Sequence, residues 1–162
     1  MSYNIIDIIE KTIKIEEKRI LMINKLIDEN KNLPTINLLG KVFEKESRKM
    51  INYYTDIKEE VSKLDLEEID FQTYDKISFL INEFSNKMYM TAVDTPKQYM
   101  HQAFCIASDE LALFIDIQGR LVNNSNNTCG ITYDILSKII LRLEHQVEMI
   151  NKVLWKYDKK LK

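Results

Sequence analysis

The sequence predicts an all-α fold, an antiparallel four-helix bundle with a shorter crossover helix between two helix hairpins. Three observations predict it. Apolar residues recur at alternating spacings of three and four along four long segments, the period of a helix that buries one face. Glycine occurs 3 times and proline 2 times, too few for the tight turns of a β-sandwich or barrel. The breaks between segments are short, and long helices joined by short loops lie antiparallel to their neighbours. At 162 residues, 45% hydrophobic and 30% charged, the chain is long enough for one buried core and is unlike a disordered or low-complexity sequence.

The first helix is predicted over about residues 3–30, with Ser2 as its N-cap. Pro34 breaks it, and Thr35 caps a second helix over about residues 36–62. An acidic connector, residues 63–70, leads to a shorter third helix over about residues 71–92, the crossover that returns the chain to the starting end. The clearest start signal follows. Thr95 is placed to cap, Pro96 suits the first helical position, and Gln98 completes a Thr-x-x-Gln capping box. That fourth helix spans about residues 96–122 and ends in an Asn/Ser run, residues 123–127, suited to a turn. Gly130 and Thr132 open the fifth, over about residues 132–158. The whole chain, 1–162, reads as a single helical domain.

The composition excludes several functions. A net charge of -2, from 23 basic and 25 acidic residues, gives no overall basic field for nucleic acid, and the Lys-rich tail is too short to change that. No apolar run approaches the roughly 18–20 residues of a membrane span. The N-terminus lacks a basic stretch followed by an apolar run, and Cys105 and Cys129 have no metal-type spacing, so the expected setting is a reducing cytoplasm. Cys105, between Phe104 and Ile106, reads as a buried inert thiol. Tyr53, Tyr54, Tyr74, Tyr89 and Tyr99 read as core and rim packing. His145 and Glu148 read as a solvated helix face, and Gly119 inside a helix implies a close approach or a kink.

Glutamates interrupt the apolar stripes. The register Ile6, Ile9, Ile13, 16, Ile20, Ile23, Ile27 is broken by Glu16, with Glu17 a close competitor. Leu39, Phe43, 46, Met50, Tyr53, Ile57 is broken by Glu46, and Ala103, Ala107, 110, Phe114, Ile117, Leu121 by Glu110. Glu144 borders the stripe of the last helix. Four carboxylates cannot stay charged together in a low dielectric without cations, so the pattern predicts a shared polar centre, with divalent metal as one solution.

These residues resemble the ferritin-like superfamily, and within it the rubrerythrin-related proteins, over most of the chain. Residues 42–49, around Glu46, and residues 141–147, around Glu144, sit where that family carries its two Glu-x-x-His motifs. Residues 95–114 are similar to its third bundle helix with a single metal-binding glutamate, here Glu110, and Glu16 matches the glutamate of the first helix. The resemblance implies a four-helix bundle holding two irons, or iron and manganese, for peroxide reduction or iron oxidation, with Glu16, Glu46, Glu110 and Glu144 as ligands. Both histidine positions are replaced, by Lys49 and Val147, and no Cys-x-x-Cys pair is present. An ammonium repels a metal and valine has no lone pair. The expectation is therefore a bundle whose dinuclear site has decayed, with Lys49 as the internal counter-charge. It carries no catalytic residues, no cofactor, and a structural or protein-interaction role as a homo-oligomer or with a protein partner. The alternative is a di-metal carboxylate protein binding iron or manganese.

Overall fold

A computed structural model describes residues 2–125 and 130–160, and the expectations for Cys129 and for the turn at 126–127 lie outside them. The fold is all-α: α1 (Ile5–Glu29), α2 (Pro34–Val61), α3 (Phe71–Lys87), α4 (Pro96–Ser125) and α5 (Ile131–Lys160). No helix among the described residues is long and apolar enough to cross a membrane.

Local chemistry sets the ends. α1 is capped by Asn4, not Ser2, because the Tyr3 carbonyl accepts from Ile69 N–H at 2.7 Å and holds the chain extended there. Asn4 and Asp7 form a capping box. α2 starts at Pro34, whose missing N–H suits the first turn, and its cap position, Leu33, offers no side-chain hydrogen bond. α3 is capped by Asp70 and stops at Lys87, short of the expected end. Gln102 on α4 explains the stop. It accepts from Thr91 N–H at 2.8 Å and donates to the Thr91 hydroxyl at 2.9 Å, while Met88 and Val93 turn into the core. The Thr95–Gln98 box is formed as expected, with Gln98 N–H donating to Thr95 Oγ1 at 3.2 Å. α4 then runs past the Asn123–Asn124 position to Ser125. The start of α5 is capped from a distance: Glu67, in the connector, accepts from Ile131 N–H at 2.6 Å and from Thr132 N–H at 3.2 Å. Burial raises the Glu67 pKa, but these bonds outweigh it and leave the carboxyl below its usual range.

α1 and α2 pack antiparallel. Lys58 near the end of α2 pairs with Glu10 near the start of α1 at 2.7 Å, and Gly40 lies against Ile27. A Cβ on Gly40 would fall 2.6 Å from Ile27 Cγ1, so the helices approach as closely as they do because the side chain is absent. α4 and α5 form the second antiparallel pair, with Lys97–Asp158 (2.6 Å) at one end and Gln118 Nε2 to Ser137 Oγ (2.7 Å) at the other. α3 packs on α1 and α4. Tyr74 stacks on Tyr3 with centroids 3.8 Å apart, and Lys18 Nζ donates to the Ser85 carbonyl. The crossover thus leaves the starting end instead of returning to it, because α2 has already brought the chain there. On the opposite side α2 and α5 diverge and leave an open groove of about 1140 Å³.

Two apolar clusters fill the interior. One gathers Ile5, Ile8, Ile9 and Ile15 with Met50, Ile77, Phe114 and Leu136; the other gathers Leu26, Ile36, Tyr99, Ala103 and Ile150. Cys105 is exposed, 3.8 Å from His101, which corrects the expected burial, and Tyr89 lies at the surface. Gly119 has nothing within 4 Å of an added Cβ, so close approach does not explain it. Gly119→Ala is therefore expected to raise stability by up to about 1 kcal/mol, read as a higher denaturant midpoint at unchanged slope.

Candidate functional site

Between the two apolar clusters lies a polar layer. Glu16 and Arg19 stand three residues apart on α1, on one face of the helix. Glu110 enters from α4, and Ser47 and Tyr54 from α2. Glu16 and Glu110 are both 0% exposed and Arg19 is 8% exposed. The Arg19 guanidinium bridges the carboxylates: Nη1 donates to Glu16 Oε1 at 2.7 Å and Nη2 to Glu110 Oε2 at 2.5 Å. A planar fork reaches two acceptors at once, which a lysine ammonium matches poorly. Glu16 Oε2, Glu110 Oε1, Arg19 Nε and the Tyr54 hydroxyl have no hydrogen-bond partner among the described residues. A small cavity of about 30 Å³, large enough for a water, adjoins Arg19, Ser47, Tyr99 and Ala107.

Two acids against one base leave one excess negative charge, and a proton taken up by Glu16 removes it below about pH 7. Burial pushes the Glu16 pKa up to about 7; Arg19 opposes the rise, Glu110 adds to it, and the nearby Ser47 hydroxyl lowers it. With Glu16 protonated, Arg19 and Glu110 form a neutral pair. Burial works against the Arg19 charge, but Glu110 and then Glu16 outweigh it and keep the guanidinium cationic. Burial, with Glu110 and Glu16 nearby, raises the Tyr54 hydroxyl well above its usual range, so it stays neutral.

Only two of the four expected glutamates meet here. Glu16, not the exposed Glu17, faces inward with Glu110. Glu46 and Glu144 are at the surface, because the buried register of α2 runs Ile36, Gly40, Ser47, Met50, Tyr54, Ile57. Lys49 is not the internal counter-charge: it pairs with Glu46 at 2.8 Å, the two side chains 53% and 48% exposed. Arg19 fills that role. The visible clue in the sequence is a basic residue three positions after a glutamate inside an apolar stripe. His145 and Glu148 are exposed, with Glu148 paired to Lys152 at 3.0 Å. Among the described residues no group of three or more His, Cys, Asp or Glu side chains is arranged to hold a metal ion. A guanidinium between the two inward carboxylates takes one oxygen of each and repels a divalent cation, and two carboxylates are too few donors for a dinuclear metal centre, so this set does not fit one. No protein-family model, curated protein or solved structure matches the chain.

Removing the guanidinium strands two buried carboxyls. Arg19→Ala is expected to cost roughly 3–5 kcal/mol in urea unfolding; a loss under about 1 kcal/mol would mean that the layer is open to water. The Glu16 pKa also sets a pH dependence. It lies above the unfolded value near 4.5, so between about pH 4.5 and 7 the folded state binds more protons than the unfolded one. Stability from this group is complete below about pH 4.5 and is lost as pH rises through 7. Glu16→Gln removes the titration. The stability difference between wild type and this variant is expected to move against wild type by on the order of 3 kcal/mol from pH 4.5 to 8, measured by denaturant melts at each pH.

Proposed function

We propose that the protein is a non-catalytic helical bundle on the ferritin-like plan, its dinuclear site replaced by an internal ion network, which acts by binding another protein. The Arg19 guanidinium between Glu16 and Glu110 carries this reading, since it supplies from the chain itself the cation such a site would take from solution. Two antiparallel hairpins and a helical crossover are compatible with that plan. Glu16, Arg19 and Glu110 are buried, so the helices around the layer screen it from a substrate in solution. The interaction role rests on the groove between α2 and α5, where Val42, Leu141 and Met149 are at least half exposed around an apolar floor.

Elemental analysis after purification without added metal, together with thermal melts in manganese(II) and iron(II), tests the central claim. The expected result is no stoichiometric metal and an unchanged Tm. Stoichiometric binding with a Tm rise of several degrees, abolished by Glu110→Ala, would restore the di-metal reading.

A further inference from the structure

The α2–α5 groove is unequal at its two ends. Leu39 and Val42 of α2 face Met149 and Val153 of α5 at one end, an apolar half. At the other end stand Lys138 and Arg142, both exposed and neither in an ion pair among the described residues. Arg142 is held there by Tyr53, its guanidinium carbon 4.1 Å from the ring centroid, which leaves its N–H groups free to face the groove. Glu46 is paired with Lys49 and Glu148 with Lys152, which leaves Glu144 as the one other carboxylate lining the groove, against the two cations Lys138 and Arg142. From Leu39 to Tyr53 the groove is about 21 Å long at 1.5 Å per residue, close to four helical turns.

We infer that the groove takes an amphipathic helix of a partner protein, with its apolar stripe on Leu39, Val42, Met149 and Val153 and an acidic C-terminal turn against Lys138 and Arg142. This rests on the interaction role proposed above and adds the partner's chemistry and direction. A helix presents its negative end, the last carbonyls, at its C-terminus, so two unpaired cations favour that end. Carboxylates in the last turn, unfavourable in an isolated helix, are there met by a lysine and an arginine fork. The bound helix then runs parallel to α2 and antiparallel to α5.

Two amphipathic peptides of about sixteen residues test it, identical but for two glutamates or two lysines in the last turn. Fluorescence anisotropy with the full chain is expected to show the glutamate peptide binding at least about tenfold more tightly, with the gap narrowing in high salt. Lys138→Glu with Arg142→Glu is expected to reverse the order; Lys138→Glu alone, at a residue outside every ion pair among the described residues, narrows it. Val42→Asp abolishes binding of both. Equal binding of the two peptides, still lost in Val42→Asp, would overturn the inference and leave the interaction role standing. Concentration-dependent self-association that Val42→Asp abolishes and the glutamate peptide fails to displace would make the occupant a second copy, which also overturns it. A monomer that binds neither peptide would overturn the inference and the interaction role together.

Discussion

A guanidinium held between two carboxylates ties α1 to α4 across the interior, and the rest of the structure is arranged so that this charge stays satisfied. Taking an ion out of water costs several kcal/mol even after relaxation, and a partner recovers that only with good geometry. Arg19 meets one oxygen of each acid and a proton on Glu16 removes the excess charge. The layer still leaves several polar atoms without partners, so a well-packed apolar layer would serve stability equally well or better. What the ion network adds is register. Glu16, Arg19, Ser47 and Glu110 separate the Ile15–Met50–Leu113 cluster from the Leu26–Tyr99–Ala107 cluster, and sliding α1 along α4 by one turn would strand the guanidinium and both carboxyls. An apolar stripe of isoleucines and leucines resists such a slip far less.

Much of the fold was legible because its signals are local. Five helices follow from a 3.6-residue period and a few capping groups, and the Thr95-Pro96-Lys97-Gln98 start is met atom for atom. The failures are tertiary. α3 ends where it does because Gln102, eleven residues beyond Thr91, binds it, and Asn4 displaces Ser2 as a cap because Tyr3 bridges Ile69. Neither partner is visible to a window of neighbouring residues. The distant cap of α5 by Glu67 is of the same kind.

The polar centre was half legible, for a reason of arithmetic. Phe43 and Met50 are seven residues apart, and a core position between them falls equally well at 46 or 47. Spacing gives no preference, but burial does: a serine hydroxyl costs far less to bury than a carboxylate, and Ser47 is 3% exposed while Glu46 stays in water. The same one-residue ambiguity separates Tyr53 from Tyr54. Ile13 and Ile20, and Ala107 and Phe114, are also seven residues apart, and there the inward position is 16 rather than 17 and 110 rather than 111. Arg19 was hidden by its neighbour Ile20, which satisfied the stripe by itself. Both arginine and isoleucine are buried, since a helix surrounded on several sides buries an arc wider than one stripe.

The asymmetry of the crossover then decides where the molecule meets anything else. α3, at 17 residues, covers one side of the bundle, packing on α1 and α4 and shielding the flank of the polar layer with Lys18 on Ser85. A single short helix cannot cover both sides. The α2–α5 side is left with its apolar rows open and with Arg142 of α5 over the Tyr53 ring of α2. Phe43, Gln146 and Ile150 line both the groove and the small cavity beside Arg19, so the two share a wall. The charge network and the groove therefore lie back to back, one holding the helices in register and the other presenting shape and charge to what lies on it.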